Sequence, residues 1–271
     1  MIKKILFGIA ALTFLFSACD EIEGPYTEIP DVKPTGDTVH TIVLFEFTGW
    51  KCINCPNAHR KIDELHSVYG EIFQPISIHA GGFAEPSDEY ENDYRTDIGN
   101  ELDEKMNGSK YPGGAVNALV RDSVTDENSW GTAIFKELKK TTVANIKMNK
   151  SVSTDSTKIS INLDIEFSLQ LTGDYYVCAY MVENGIIGPQ KEEGQPLHEE
   201  YVHKHVLRAS FNGTWGDKIA TDPAEGFSVK KDYSLNLDNK WVIDSLHIIP
   251  FIYENSTKRV IPFNMIKEKS E

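Results

Sequence analysis

The chain is poor in cysteine and in cationic side chains, and it has no apolar run long enough to cross a bilayer as a helix. Four cysteines in 271 residues exclude a disulfide-dense scaffold, which relies on crosslinks where the core is too small. Lysine and arginine number 27 against 41 aspartates and glutamates, a formal charge of −14. A chain this acidic has no attraction for phosphate backbones, so nucleic-acid partners are excluded. The apolar stretch Ile5–Phe16 falls short of the ~20 residues that a spanning helix needs. What is there is an ordinary globular composition: 40% hydrophobic, 10% aromatic and 25% charged. That excludes a wholly disordered or collagen-like chain and supplies core for one or two domains.

Residues 1–18 read as a secretion signal. Lys3 and Lys4 precede the apolar run, and the small residues Ser17 and Ala18 end it. Phe16-Ser17-Ala18-Cys19 resembles the bacterial lipobox, in which cleavage frees a cysteine that then takes lipid. The resemblance implies a protein anchored to membrane lipid through Cys19 without spanning the bilayer. Residues 19–38 carry Gly24, Pro25, Pro30, Pro34 and Gly36 and are expected as a flexible linker behind the lipidated cysteine.

Thr41–Phe47 is almost continuously apolar and β-branched, the pattern of a strand buried on both faces. Ala58, Ile62, Leu65 and Tyr69 repeat at helical spacing between Pro56 and Gly70, and glycine is a common helix stop. Phe73–His79 reads as a second buried strand. Strand, helix and strand on short links form a βαβ unit with parallel strands. Tyr90, Tyr94, Ile98, Leu102 and Met106 recur every four residues, which predicts an amphipathic helix over 85–106 with an acidic outer face. Gly113–Arg121 is expected as a strand and Asn128–Val143 as a helix.

After Lys150 the pattern changes. Ile159–Phe167 alternates strictly between apolar and polar, as a half-exposed strand does. Further strands are expected at 175–182, 202–209, 227–237 and 246–253. Cys178 lies in one of them as a buried, inert thiol. His203 and His205 flank Lys204 in another, which puts them on one side as hydrogen-bonded supports of a turn or interface. The expected fold class is α+β. An α/β domain spans 39–147, with a helical insertion at 85–106, and an antiparallel β-sandwich spans 148–271.

The chemistry-bearing motif is Cys52-Ile53-Asn54-Cys55, which follows a strand and opens a helix. Two intervening residues let the sulfurs meet, and the helix N-terminus favours a thiolate on Cys52. Cys55 then resolves the mixed disulfide. Pro56 suits a first helical turn, where a missing N–H costs little. A zinc site from Cys52, Cys55, His59 and His66 lacks the second C-x-x-C or close His pair of structural zinc. With Cys19 lipidated, only Cys52, Cys55 and Cys178 remain, and an iron–sulfur cluster lacks its fourth thiolate. No metal and no cofactor is expected, because the dithiol itself carries two electrons.

Phe45-Glu46-Phe47 and Trp50 ahead of Cys52 resemble the approach to the active site in the thioredoxin superfamily. The resemblance implies a thioredoxin-like N-terminal domain. It also implies that Glu46 is a buried acid moving protons for Cys55, and that Pro112 in Tyr111-Pro112-Gly113 is a cis-proline lining the substrate groove. More narrowly, Glu46–Gly49, Cys52–Pro56, Tyr111–Asn117, Tyr201–Arg208 and Asn212–Gly216 together resemble the outer-membrane-protein-28-related lipoproteins of Bacteroidota. That family implies an outer-membrane location, lipid-anchored, with a β-rich C-terminal domain. Departures from thioredoxin are Lys51 directly before the first cysteine, Ile53-Asn54 between the two, and the acidic insertion.

The leading expectation is thiol–disulfide exchange through Cys52 and Cys55, with Glu46 and Pro112 assisting, on a protein substrate or redox partner in the cell envelope. Two other readings fit the same residues. One is a non-enzymatic surface-binding or adhesion-type lipoprotein in which Cys52–Cys55 is a structural disulfide. The other is an accessory subunit of an outer-membrane assembly.

Overall fold

The computed structural model describes residues 40–88, 90–107 and 110–266. The signal segment, Cys19 and the linker to residue 38 lie outside the described residues. The chain is α+β, with many strands, few helices and mixed sheets.

The first half runs β1 (Ile42–Thr48), α1 (Cys55–Tyr69), β2 (Phe73–His79), the short α2 (Gly81–Ala84), α3 (Asp97–Leu102), β3 (Gly113–Val116) and α4 (Trp130–Leu138). β1 and β2 pair in parallel, from Ile42 against Phe73 to Thr48 against His79, as the βαβ reading requires. β1 is buried throughout, and its alternation sorts two cores. Ile42 and Leu44 pack with Ala58, Ile62 and Leu65 of α1 and Trp130 of α4. Val43, Phe45 and Phe47 face the larger core on the other side of the sheet.

Three expectations in this half are corrected. The helix expected over 85–106 forms only as α3 and a wider turn at Asp103–Asn107. Thr96 caps α3 by accepting the Gly99 N–H at 3.0 Å. Just before it, the Asp93 carboxylate takes the backbone N–H of Arg95 at 3.0 Å, a local bond that competes with helix. Tyr90 and Tyr94 are still buried, packed with Trp50 rather than along a helix. The strand expected to reach Arg121 stops at Val116, because Asn117 turns to a φ of 47° and its side chain accepts the Val43 N–H at 2.8 Å. The helix expected over 128–143 begins at Trp130, after a tight turn at Glu127–Ser129, and ends at Leu138.

The second half supplies β4 (Ala144–Val152), β5 (Lys158–Phe167), β6 (Asp174–Glu183), β7 (Ile186–Gln190) and β8 (His198–His203). It continues with β9 (Val206–Ser210), β10 (Asp217–Thr221), β11 (Ser228–Asn236), β12 (Leu246–Glu254), β13 (Arg259–Val260) and β14 (Phe263–Ile266). β5 alternates as expected, with Ile159, Ile161, Leu163, Ile165 and Phe167 buried. It sits in a four-stranded sheet, β11-β5-β4-β14, whose inner face shares the larger core. This sheet is mixed rather than antiparallel, since β14 pairs β4 in parallel.

The division expected between 147 and 148 is not a break in the hydrogen bonding. The large sheet runs β13-β12-β6-β9-β2-β1-β3, with β10 also on β6, so strands of both halves form one surface. The join is between β2 and β9, where Ser77 pairs Val206 and the Ser77 N–H donates to the His205 carbonyl at 2.8 Å. Packing reinforces it: the ring of Phe45 on β1 meets Phe251 on β12 edge-on, at 5.3 Å between centroids. The single strand expected over 202–209 is broken at this join. His205 takes a φ of 56° and gives its N–H to the Asn184 side chain at 2.7 Å, so His203 and His205 do not share a strand face.

The shared core predicts one cooperative unit. Phe251→Ala should cost about 3–5 kcal/mol and lower the denaturant midpoint equally by tryptophan fluorescence and by far-ultraviolet circular dichroism. Midpoints that separate would show that the two halves unfold independently.

Candidate functional site

The end of β1 leads through Gly49, Trp50 and Lys51 into the cysteine pair. Gly49 is fixed by close approach: a Cβ there would fall 2.4 Å from the carbonyl carbon of Phe83. Trp50 anchors the loop by donating its indole N–H to the Glu85 carbonyl at 3.0 Å. Cys52 and Cys55 are joined as a disulfide, with Cα atoms 5.4 Å apart. Cys55 opens α1, whose first turn carries no acidic side chain to offset the partial positive charge of the free N–H groups.

A strap from the second half lies over this loop. Residues 190–193 run on from the last residue of β7, and the Lys191 and Glu193 N–H groups donate to the carbonyls of Trp50 at 2.8 Å and Ile53 at 3.0 Å. The buried Gln190 amide donates to the Cys52 carbonyl at 3.0 Å. Arg60 of α1 pairs with Glu192 at 2.8 Å. Cys52 is 2% exposed and Cys55 wholly buried beneath this cover, while Ile53 between them is 45% exposed.

Glu46 lies on the face of β1 that looks toward α1 and is wholly buried. Neither carboxylate oxygen has a hydrogen-bond partner. Burial penalises the charged form and pushes its pKa up to about 8, with the nearby Ser77 and Thr48 hydroxyls partly opposing the rise. His59, one turn along α1 from Cys55, places Nε2 at 2.9 Å from the Thr48 hydroxyl and 3.7 Å from Glu46. Pro112 follows Tyr111 in a cis peptide. Since β3 runs antiparallel to β1 with Gly113 opposite Phe47, Pro112 sits beside Thr48 at the same sheet end.

The structure thus brings Cys52, Cys55, Glu46 and Pro112 to one end of the sheet. Cys178 is elsewhere, buried in β6, where burial pushes its thiol pKa well up and Sγ approaches the Thr214 carbonyl at 3.8 Å. Sequence reasoning missed what the second half adds. Tyr201 hydrogen-bonds His59 Nδ1 at 2.8 Å, and His203 lies 3.3 Å from the Pro189 carbonyl through Nε2. With His79 of β2 these side chains line a cavity of about 230 Å³ between α1, β2 and β8. Gln190 and Tyr201 lie 138 and 142 residues from their partners Cys52 and His59, so no local spacing marks them. His59 carried the one readable signal, its position four residues after Cys55.

The family model of the outer membrane protein Omp28 matches residues 99–269. That span holds the strap, Tyr201 and His203 and leaves out the cysteine pair and Glu46. No curated protein matches the chain. HBP35 of Porphyromonas gingivalis has a similar structure: 16% identity, 87% of this chain and 80% of that one covered, TM-score 0.61. A structural-genomics protein of Agrobacterium tumefaciens is similar at 10% identity, covering 87% of this chain and 99% of that one, TM-score 0.51. At such identities the likeness is one of fold.

Glu46 makes the site's electrostatics measurable. Between pH 4.5, the ordinary glutamate value, and about 8, the folded chain keeps a proton that the unfolded chain releases. Folding therefore loses stability as pH rises through that window, by up to about 1.4 kcal/mol per pH unit. Glu46→Gln, which cannot ionise, should gain stability over the wild type progressively from pH 4.5 to 8 in urea titrations. A difference independent of pH would mean that Glu46 is ionised in the native protein.

Proposed function

The chain belongs to the Omp28 family of outer membrane proteins, and on that footing we propose that it is an envelope protein whose Cys52–Cys55 pair exchanges thiols and disulfides. Outer-membrane association follows the family. No helix among the described residues is long and apolar enough to cross a membrane, and lipid on Cys19 is the attachment this reading uses. The N-terminal half is read as thioredoxin-like. The substrate is a disulfide or dithiol of another envelope protein.

One observation carries the reading. A cysteine pair at a strand-to-helix turn opens the helix whose His59, one turn on, stands 3.7 Å from a buried acid that keeps its proton up to about pH 8. Cys52 is the attacking sulfur. Its thiolate attacks the substrate disulfide, whose far sulfur leaves as a thiolate; Glu46, after giving up its own proton, takes that of Cys55, which then displaces the remaining substrate sulfur. Pro112 borders the same sheet end and offers backbone to a substrate chain. Because the strap covers Cys52, exchange requires residues 190–193 to part from the loop.

A second reading rests on that cover. A disulfide 2% exposed at its outer cysteine also suits a fixed crosslink, with the protein acting as a non-enzymatic surface binder. One assay separates the two. Cys55→Ser should trap a mixed disulfide at Cys52 when the protein meets a disulfide-bearing envelope extract, and Cys52→Ser should trap none. Absence of any trapped species, with a wild-type pair that exchanges no thiols, leaves the crosslink reading.

A further inference from the structure

The cavity under α1 holds side chains that the exchange reading does not use. His59 spends both ring nitrogens: Nε2 meets the Thr48 hydroxyl at 2.9 Å, beside Glu46 at 3.7 Å, and Nδ1 meets the Tyr201 hydroxyl at 2.8 Å. Tyr201 is half-buried in β8. It lines the 230 Å³ cavity on one side and, with Leu197–Val202, an open surface depression on the other. The imidazole therefore bridges a wholly buried carboxyl and a phenol in reach of water. Among the described residues no three His, Cys, Asp or Glu side chains are grouped as metal ligands.

We propose that Thr48, His59 and Tyr201 form the path by which Glu46 exchanges its proton with solvent, His59 and Tyr201 being positioning residues for the exchange reaction. The proposal rests on the reading of Cys52 and Cys55 as a working pair. Near neutral pH Glu46 is protonated, so it must release that proton before it can accept another. Glu46, which makes no hydrogen bond at rest, turns onto the neighbouring Thr48 hydroxyl; the proton passes through it to Nε2 of His59, whose Nδ1–H passes to Tyr201 and on to water. The resolving step follows. The Cys55 thiol gives its proton to the Glu46 carboxylate, the Cys55–Cys52 bond forms, and the bond from Cys52 to the substrate sulfur breaks. The substrate sulfur leaves as a thiolate and takes a proton from water; the dithiol is oxidised and the substrate disulfide reduced by the same two electrons. Reduction of the pair by a second dithiol runs the path inward and restores the starting imidazole tautomer.

The surroundings keep the path neutral. Burial lowers His59 to about 3 and raises Tyr201 to about 12. A neutral imidazole accepts at one nitrogen while donating at the other, which a relay requires. Of the charged groups facing it, Asp63 pairs with Lys204 at 2.8 Å and Arg60 with Glu192 at 2.8 Å. His79, His203 and His205 face the same space, and burial holds each below the ordinary histidine value. Glu46 is thus the group facing His59 that titrates near pH 8.

The test is the oxidation of the reduced full chain by oxidised glutathione, read as the rate of Cys52–Cys55 bond formation from pH 6 to 9. His59→Ala and Tyr201→Phe should be slower than wild type by ~10-fold or more below pH 8 and converge with it above, where Glu46 has already lost its proton. Added imidazole should restore the His59→Ala rate. Should that variant fail to fold, Tyr201→Phe, which loses one hydroxyl, carries the test. Rates equal to wild type at every pH overturn the path and leave the exchange reading standing. Slowing that is uniform across pH and not relieved by imidazole also overturns it, as a structural role. A wild-type chain that forms no Cys52–Cys55 bond overturns both.

Discussion

The join of β9 to β2 at Ser77 and Val206 is the contact on which the rest of the site depends. A parallel bridge is weak alone, but here it is backed by the edge-to-face packing of Phe45 on Phe251 and of Phe251 on Tyr180. It carries β8 and the strap after β7 across to α1. Without it Tyr201 would not meet His59, and the Cys52 carbonyl would lose the Gln190 amide. The cysteine pair is thus built by one half of the chain and covered by the other.

Legibility in the sequence followed locality. β1, α1, β2 and β5 announce themselves by period, because their burial is decided by neighbours within a few turns or a single pleat. The helix expected over 85–106 does not form as one piece, because a four-residue stripe reports only that side chains are buried. Tyr90 and Tyr94 pack on Trp50 from irregular backbone that Asp93 holds out of helix. The break at His205 carried no signal at all, being set by the Asn184 side chain on a neighbouring turn. At the site, Cys52, Cys55 and Glu46 are legible because strand, turn and helix order them in ten residues. The strap and Tyr201 are not, since only the sheet brings them there.

Burial sets the chemistry of the region beneath α1. An apolar surrounding disfavours every charged form, so the acid keeps its proton while the histidines lose theirs. A buried carboxylate and a buried imidazolium would otherwise invite an ion pair, yet Glu46 and His59 stand 3.7 Å apart with Thr48 beside them. Neutral groups in this arrangement can pass protons without creating an isolated charge, which low dielectric would penalise heavily.

The cover over Cys52 and the buried acid beneath α1 pull in opposite directions, one protecting the disulfide and the other equipping it to turn over. The reduction midpoint of the Cys52–Cys55 pair weighs them most directly, with free thiols read by mass across a dithiothreitol series. The account predicts a midpoint among working oxidoreductases, roughly −120 to −270 mV. A pair that stays oxidised below about −300 mV would contradict it and mark the bond as a fixed crosslink.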